Sequence, residues 1–274
     1  MRQLETLLAQ RYGGNGPTYL DLPSTPVIET ILRHRSIRSF SPDPLQFGTL
    51  EALIAAAQSA STSSMMQTWS AVAIQDPGHK HALAALAGDQ DFIRQAPLLL
   101  VFCADLSRLA AVCERHRGSG AGLEKTDLFV MAAVDAALAA QSVGTAAESL
   151  GLGFCFVGAV RNDSRGMVEL LGLPPRVFPF VGMAIGWPDA SEGADIKPRL
   201  PMDEVLHRER WDGAKDHQAL VSSYDEALNK FYEGHGKPGR EPWSKHMAGI
   251  ASSEKQDGRE RTRQVLEERG FGLK

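Results

Sequence analysis

The chain has 274 residues, 43% of them hydrophobic, enough to bury a sizeable core as one large domain or two small ones. A formal net charge of −4 and a pI near 6.1 disfavour nucleic acid as a partner. Three scattered cysteines, Cys103, Cys113 and Cys155, are too few for a disulfide framework or a zinc site. Cys103 and Cys155 lie in apolar runs and read as buried free thiols.

Residues 1–22 read as an N-terminal extension in which GGNGP at 13–17 breaks any helix. No basic region followed by an apolar core opens the chain, so no signal peptide is expected and the expected location is cytoplasmic. Pro26 to Arg33 has a helical stripe of Val27, Ile28, Ile31 and Leu32. HRSIRSF at 34–40 follows, with an imidazole, two guanidiniums and two hydroxyls around Ile37. If it runs extended, His34, Ser36 and Arg38 share a face and Ile37 points the other way. That face is rich in donors and positive charge, and the fork of Arg suits phosphate. SPDP at 41–44 is a turn, and Leu45 to Ala60 reads as a helix. It runs out into STSSMMQ at 61–67, whose four hydroxyl residues are poor helix formers and good donors. They form either a plain helix end or a hydroxyl lip over Met65 and Met66.

Trp69 to Gln75 reads as a strand, His79 to Ala87 as a helix, GDQDF at 88–92 as a turn, and Pro97 to Ala104 as a strand buried on both faces. Asp105 to Arg117 is expected to be an exposed helix, and GSGAG at 118–122 a joint. From Leu128 to Ala147 the chain is mostly apolar, with Asp135 its only charge. The length is borderline for a membrane span, which needs roughly 20 apolar residues. Its polar and small residues fit better a helix in a core or at a subunit interface. The helix ends at GLG, 151–153. Phe154 to Val160 and Val177 to Trp187 are the third and fourth strands, with a short helix between them capped by Asp163 or Ser164. Gly182 and Gly186 suggest close approach by another backbone or a ligand.

KPRLP at 197–201 is held extended by its two prolines, so Lys197 and Arg199 point the same way. Ala214 to Glu233 is an amphipathic helix, and residues 234–243 form a loop rich in glycine and proline that carries His235, Lys237 and Arg240. Residues 252–270 read as a charged helix with few core residues. Helices alternating with buried strands indicate α with β around one sheet. No GxGxxG opens a helix after a strand in the Rossmann manner, since GHGKPG at 234–239 has the spacing but follows a helix, and GxxxxGK[ST], HExxH, CxxC and GxSxG are absent from the sequence; this disfavours the usual dinucleotide, metal and acyl-transfer sites.

Several of these pieces recur together elsewhere. HRSIRSF, the hydroxyl run with Gln67, LAGDQ at 86–90, AAESLGLGFCFVGAVRN at 146–162, VGMAIGWPD at 181–189 and KPRLP stand in one order. In that order the chain resembles the group A oxygen-insensitive NADPH nitroreductases and their kin, the NADPH-dependent flavin reductases, over about residues 27 to 250. Residues 1–26 lie ahead of the family's usual start, and residues 27–274 would form the nitroreductase domain. The resemblance implies an α+β fold with a central mixed sheet flanked by helices, in an intertwined homodimer that binds FMN noncovalently. It implies that His34, Arg35, Ser36 and Arg38 meet Lys197 and Arg199 at the ribityl phosphate, as a dianion needing several donors would require. Gln90 would bond the flavin's polar edge or ribityl chain. Phe156, Val157, Gly158 and Ala159 would line the ring, and Ser61, Thr62 and Ser64 would reach the cofactor of the other subunit. Where relatives often carry Tyr-Ile-Gly-Gly this chain has Phe156-Val157-Gly158-Ala159.

The activity implied is ping-pong transfer from NADPH through FMN to nitroaromatics, quinones or free flavin. No protein residue serves as the acid, base or nucleophile, and no metal is needed. One of His235, Lys237 and Arg240 would read the extra phosphate of NADPH. The alternatives are a flavin reductase, whose oxidant is free FMN, and a flavin-binding protein without turnover.

Overall fold

The computed structural model describes residues 3–14, 16 and 22–274. In chain order the elements are α1 (Gln3–Tyr12), α2 (Pro26–Leu32), α3 (Thr49–Gln58), β1 (Trp69–Ile74), α4 (Pro77–Leu86), α5 (Asp91–Gln95), β2 (Leu98–Asp105) and α6 (Ser107–Arg115). They continue as α7 (Thr126–Ser149), β3 (Gly153–Val157), α8 (Ser164–Leu170), β4 (Val177–Gly186), α9 (Met202–Val205), α10 (His217–Gly234), α11 (Trp243–Ala251) and α12 (Thr262–Glu268). The chain divides into two compact units, one of residues 1–35 and 193–253, the other of residues 36–192 and 254–274. α1 belongs to the first unit.

The second unit holds the sheet, in the order β1-β2-β4-β3, and every pairing in it is antiparallel. The mixed sheet that was expected is therefore antiparallel, and the one parallel pairing, Ser36 to Phe154, is an isolated bridge outside the four strands. β2 is buried along its whole length, as an apolar run without alternation requires, and burial pushes the Cys103 thiol up to about 12. α7 and α3 cover one face, where Ala136, Ala139, Ala140 and Val143 meet Leu98, Leu100, Phe102 and Phe154. Small side chains on α7 let the Phe154 ring lie against it, so a methyl at Gly144 would come within 2.6 Å of that ring. At Gly182 a Cβ would meet Val160 at 2.8 Å and at Gly186 it would meet Pro97 at 2.5 Å, so these two glycines admit neighbouring chain.

Several boundaries differ from expectation. α3 begins at Thr49 because Gly48 takes a left-handed conformation ahead of it. β3 stops at Val157, and residues 158–161 tighten into a 3₁₀ turn. The C-terminal segment contributes more core than expected, since Val265, Leu266 and Phe271 pack with Ala104, Leu106 and Phe178.

In the first unit, the expected stripe on α2 faces outward: Val27 and Ile31 are exposed. Thr25 caps this helix by accepting from the Ile28 N–H. The extension contains α1, which ends at Tyr12, directly before the glycines expected to break any helix, and its Leu7 and Arg11 are buried. The GGNGP break falls partly outside the described residues. Gly13 ends α1 at a φ of +60°, where a Cβ would lie 2.6 Å from that of Ala227 in α10.

Candidate functional site

In the first unit both basic segments run without helix, and their side chains sort by position. Across residues 196–199, Ile196 and Pro198 are buried and Lys197 and Arg199 are exposed, the alternation of an extended chain. Tyr224 of α10 is buried beneath them and its hydroxyl donates to the Pro198 carbonyl at 3.4 Å. Burial raises its pKa, against the pull of Arg199. His34 is half-buried and Arg35 exposed. Their link to residues 197–199 is Arg11. Its guanidinium donates to the carbonyls of Leu32 at 2.8 Å, His34 at 2.7 Å and Lys197 at 3.0 Å. Its own carbonyl accepts from the Arg199 N–H at 2.8 Å. Sequence reasoning missed Arg11 altogether.

In the second unit, Ile37 is buried and its N–H donates to the Phe154 carbonyl at 2.9 Å. Arg38 is exposed, and Glu192 accepts from the Arg38 and Ser39 N–H groups, both at 2.7 Å. Phe40 is buried as well, whereas Arg35 is exposed, so the two-residue alternation expected of residues 34–40 does not hold. On the same unit Gln90, Ala159 and Asn162 gather at Gly88: a Cβ there would lie 3.7–4.0 Å from each. Gln90 is anchored by one N–H to the Ala87 carbonyl at 2.8 Å. Val157 and Ala159 are nearly buried, whereas Phe156 is 38% exposed and meets Phe154 edge to face.

Two cations the sequence reading passed over stand at Gly158. Arg161 and Arg259 both reach within 4.0 Å of where its Cβ would be. Burial first, then repulsion from Arg259, lowers the pKa of Arg161, and its guanidinium donates to the Phe180 carbonyl. Arg259 donates from Nε to Asn162 Oδ1 at 2.8 Å. Gly258 delivers it there with a φ of +93°, its backbone so close to the Asn162 carbonyl that a Cβ would lie 2.1 Å from that oxygen.

The hydroxyl run is a tight turn with positive φ at Ser64, Met65 and Gln67. Asp135, the one charge between Leu128 and Ala147 of α7, holds it: its oxygens accept from the Thr62 hydroxyl, the Ser63 N–H, and both the N–H and hydroxyl of Thr68. Thr62 also accepts from the Gln67 N–H at 2.9 Å, so its hydroxyl is committed within the turn. Ser61 and Ser64 are exposed, and Met65 is exposed rather than a floor. Beyond α10, His235 donates from Nδ1 to the Phe231 carbonyl at 2.7 Å and stacks on the Phe231 ring. Arg240 and Lys197 both lie over the Tyr232 ring, at 4.4 and 6.0 Å from its centroid. Lys237 is exposed. Among the described residues no three His, Cys, Asp or Glu side chains gather as a metal site.

The chain has known relatives. The Nitroreductase family model matches residues 31–89 and 77–187, and the model of the Nitroreductase family C-terminal domain matches residues 197–274. The chain belongs to the nitroreductase family.

Among particular proteins, it is 38% identical over 248 residues to the FMN reductase (NADPH) of Bacillus subtilis, covering 89% of this chain and 97% of the relative. It is also 38% identical over 224 residues to the oxygen-insensitive NADPH nitroreductase of Salmonella typhimurium, covering 81% and 90%. The solved structure of the nitroreductase NfrA1 from B. subtilis superposes with a TM-score of 0.83 at 36% identity, over 90% of this chain and 99% of the other.

Proposed function

We propose that this protein is an FMN-dependent oxidoreductase that takes electrons from NADPH and delivers them to nitroaromatics or quinones, the two substrates using one place in turn. The observation that carries the reading is the link through Arg11. One guanidinium binds the backbone of His34 and of Lys197, the two basic elements that the sequence reading assigned to one phosphate. The donor set fits FMN: exposed guanidinium and ammonium groups suit a phosphate dianion, and the Gln90 amide beside Ala159 suits the edge of a polar ring. His34, Arg35, Ser36, Arg38, Lys197 and Arg199 hold the phosphate in this reading. Gln90 and residues 156–159 orient the ring.

FMN, when bound, supplies the two-electron chemistry, and the protein contributes binding, orientation and charge. Arg161 and Arg259 add positive charge at Gly158, favourable to any anion that forms there. We take the active form to be a homodimer. Val130, Val134 and Leu138 stand four residues apart on α7 and are 48, 48 and 42% exposed, an apolar stripe suited to a second copy. Ser61 and Ser64 are the hydroxyls left to reach a partner's cofactor, since Thr62 is engaged with Asp135.

A second reading is favoured by the Bacillus subtilis relative, whose name is FMN reductase (NADPH). In that case free FMN is the oxidant, and steady-state rates with nitroaromatic, quinone and free FMN decide between the two. For the main reading, Arg38→Ala should give a folded protein that purifies largely colourless. An unchanged ratio of flavin to protein absorbance would remove Arg38 from the phosphate site. Anaerobic NADPH should bleach the wild-type flavin; a yellow protein that does not bleach would be a carrier.

A further inference from the structure

Arg11 lies in α1, ahead of the matched family region, which begins at residue 31. It is only 7% exposed. Its guanidinium spans the carbonyls of Leu32, His34 and Lys197 at 2.7–3.0 Å, while its main-chain carbonyl accepts from the Arg199 N–H at 2.8 Å. The bond from the Arg11 side chain to the Lys197 carbonyl and the bond from the Arg199 N–H to the Arg11 carbonyl grip the segment on either side of Pro198 and fix its register. A slip of one residue would turn Lys197 and Arg199 inward and Ile196 and Pro198 outward. The end of α1 is itself seated, because Gly13 fits against Ala227 and Pro198. The same guanidinium sets the separation between the backbone of His34 and that of Lys197. A planar fork with five donors can do this for several carbonyls at once, whereas an ammonium cannot match its geometry.

We infer that Arg11 is a positioning residue for anion recognition: it fixes His34–Arg35 and Lys197–Arg199 at the spacing a phosphate monoester requires, and so sets the affinity for FMN. The inference rests on the proposed phosphate site. Arg11 needs no contact with the ligand. Its effect should therefore be confined to the phosphate end of the flavin, and riboflavin, which has the same ring and ribityl chain without the phosphate, reports the rest.

The test uses full-length protein stripped of flavin, with binding of FMN and of riboflavin followed by quenching of flavin fluorescence. Arg11→Met preserves length and burial but makes no hydrogen bond. It should raise the Kd for FMN about tenfold or more and leave that for riboflavin within about twofold. Arg11→Lys should recover part of the loss. If Arg11→Met does not fold, the same comparison is made on Arg11→Lys, with an expected rise for FMN of about threefold or more. Equal weakening of both ligands would show a general structural role, and no change in either would show none; both overturn the inference. Arg199→Ala separates its failure from that of the site. If Arg199→Ala weakens FMN and Arg11→Met does not, the positioning role falls and the phosphate site stands. If Arg199→Ala leaves FMN unchanged, the phosphate site falls and the inference with it.

Discussion

Asp135→Asn would test whether one buried carboxylate holds the hydroxyl turn. The side chain is 1% exposed. Its Oδ1 accepts from the Ser63 N–H at 3.0 Å, and its Oδ2 accepts from the Thr62 hydroxyl at 2.6 Å, the Thr68 N–H at 3.0 Å and the Thr68 hydroxyl at 2.9 Å. An amide keeps one acceptor oxygen and puts an NH₂ donor in place of the other. The two hydroxyls can rotate and accept, but the two backbone N–H groups sit on different oxygens and cannot. Whichever way the amide turns, one buried N–H faces another. An unsatisfied buried donor costs about 1–3 kcal/mol, and losing the charge on the surviving bonds adds roughly 1 kcal/mol. The expected destabilisation is about 2–4 kcal/mol, or a fall in Tm of roughly 5–15 °C for a chain this long.

The pH dependence of that loss follows from the titration of Asp135. Burial alone would raise its pKa, but the hydrogen bonds from Thr62, Ser63 and Thr68 outweigh burial and hold it below the ordinary carboxylate value. A lowered folded-state pKa gives stabilisation that is full above the unfolded value of about 3.9 and lost as pH falls through the folded value. The gap in Tm between wild type and Asp135→Asn should therefore be full near neutral pH and narrow below about pH 4. Circular dichroism melts across that range measure it. A gap under one degree at neutral pH, or one that stays constant into acid, would refute this account of the turn.

Val134→Asp places a charge at the middle of the exposed α7 stripe and should convert the proposed dimer to monomer in sedimentation. The wild-type interface should exceed about 1,600 Å² in total, and a wild-type monomer active at assay concentration would contradict it. Lys237→Ala combined with Arg240→Ala should raise the KM for NADPH by about one to two decades and leave NADH nearly unchanged. Equal weakening of both coenzymes would make residues 235–242 a cover and not a reader of phosphate.

Much of the fold was legible because its signals are local. Leu98–Asp105 announces a central strand by an unbroken apolar run, and α7 announces itself by length and small residues. Helix and strand ends were read less well, and each miss has a cause elsewhere in the structure. Residues 45–48 have helical composition, yet Gly48 at a φ of +83° starts the helix later. The apolar stripe of α2 satisfies helical periodicity but lies exposed, because periodicity states which residues share a face and not what that face meets. The C-terminal segment looked poor in core residues because its three buried residues, Val265, Leu266 and Phe271, stand among seven charged ones from Arg259 to Arg269.

The candidate site divides in the same way. Lys197 and Arg199 could be found because alternation in an extended chain is written into the spacing of the sequence, and the exposure pattern follows it residue by residue. Arg11 and Arg259 could not. Arg11 acts on the carbonyls of Leu32, His34 and Lys197, and a carbonyl is common to every residue type, so neither its partner's identity nor its spacing leaves a trace. Arg259 comes to Gly158 from about a hundred residues away because Gly258 permits one close turn against Asn162. Asp135 lies between these cases. A single carboxylate in an apolar helix must be satisfied if it is buried, so the sequence implied that donors exist. The hydroxyl run was the richest supply of them in the chain, and joining those two observations would have placed the turn against α7 before any coordinates.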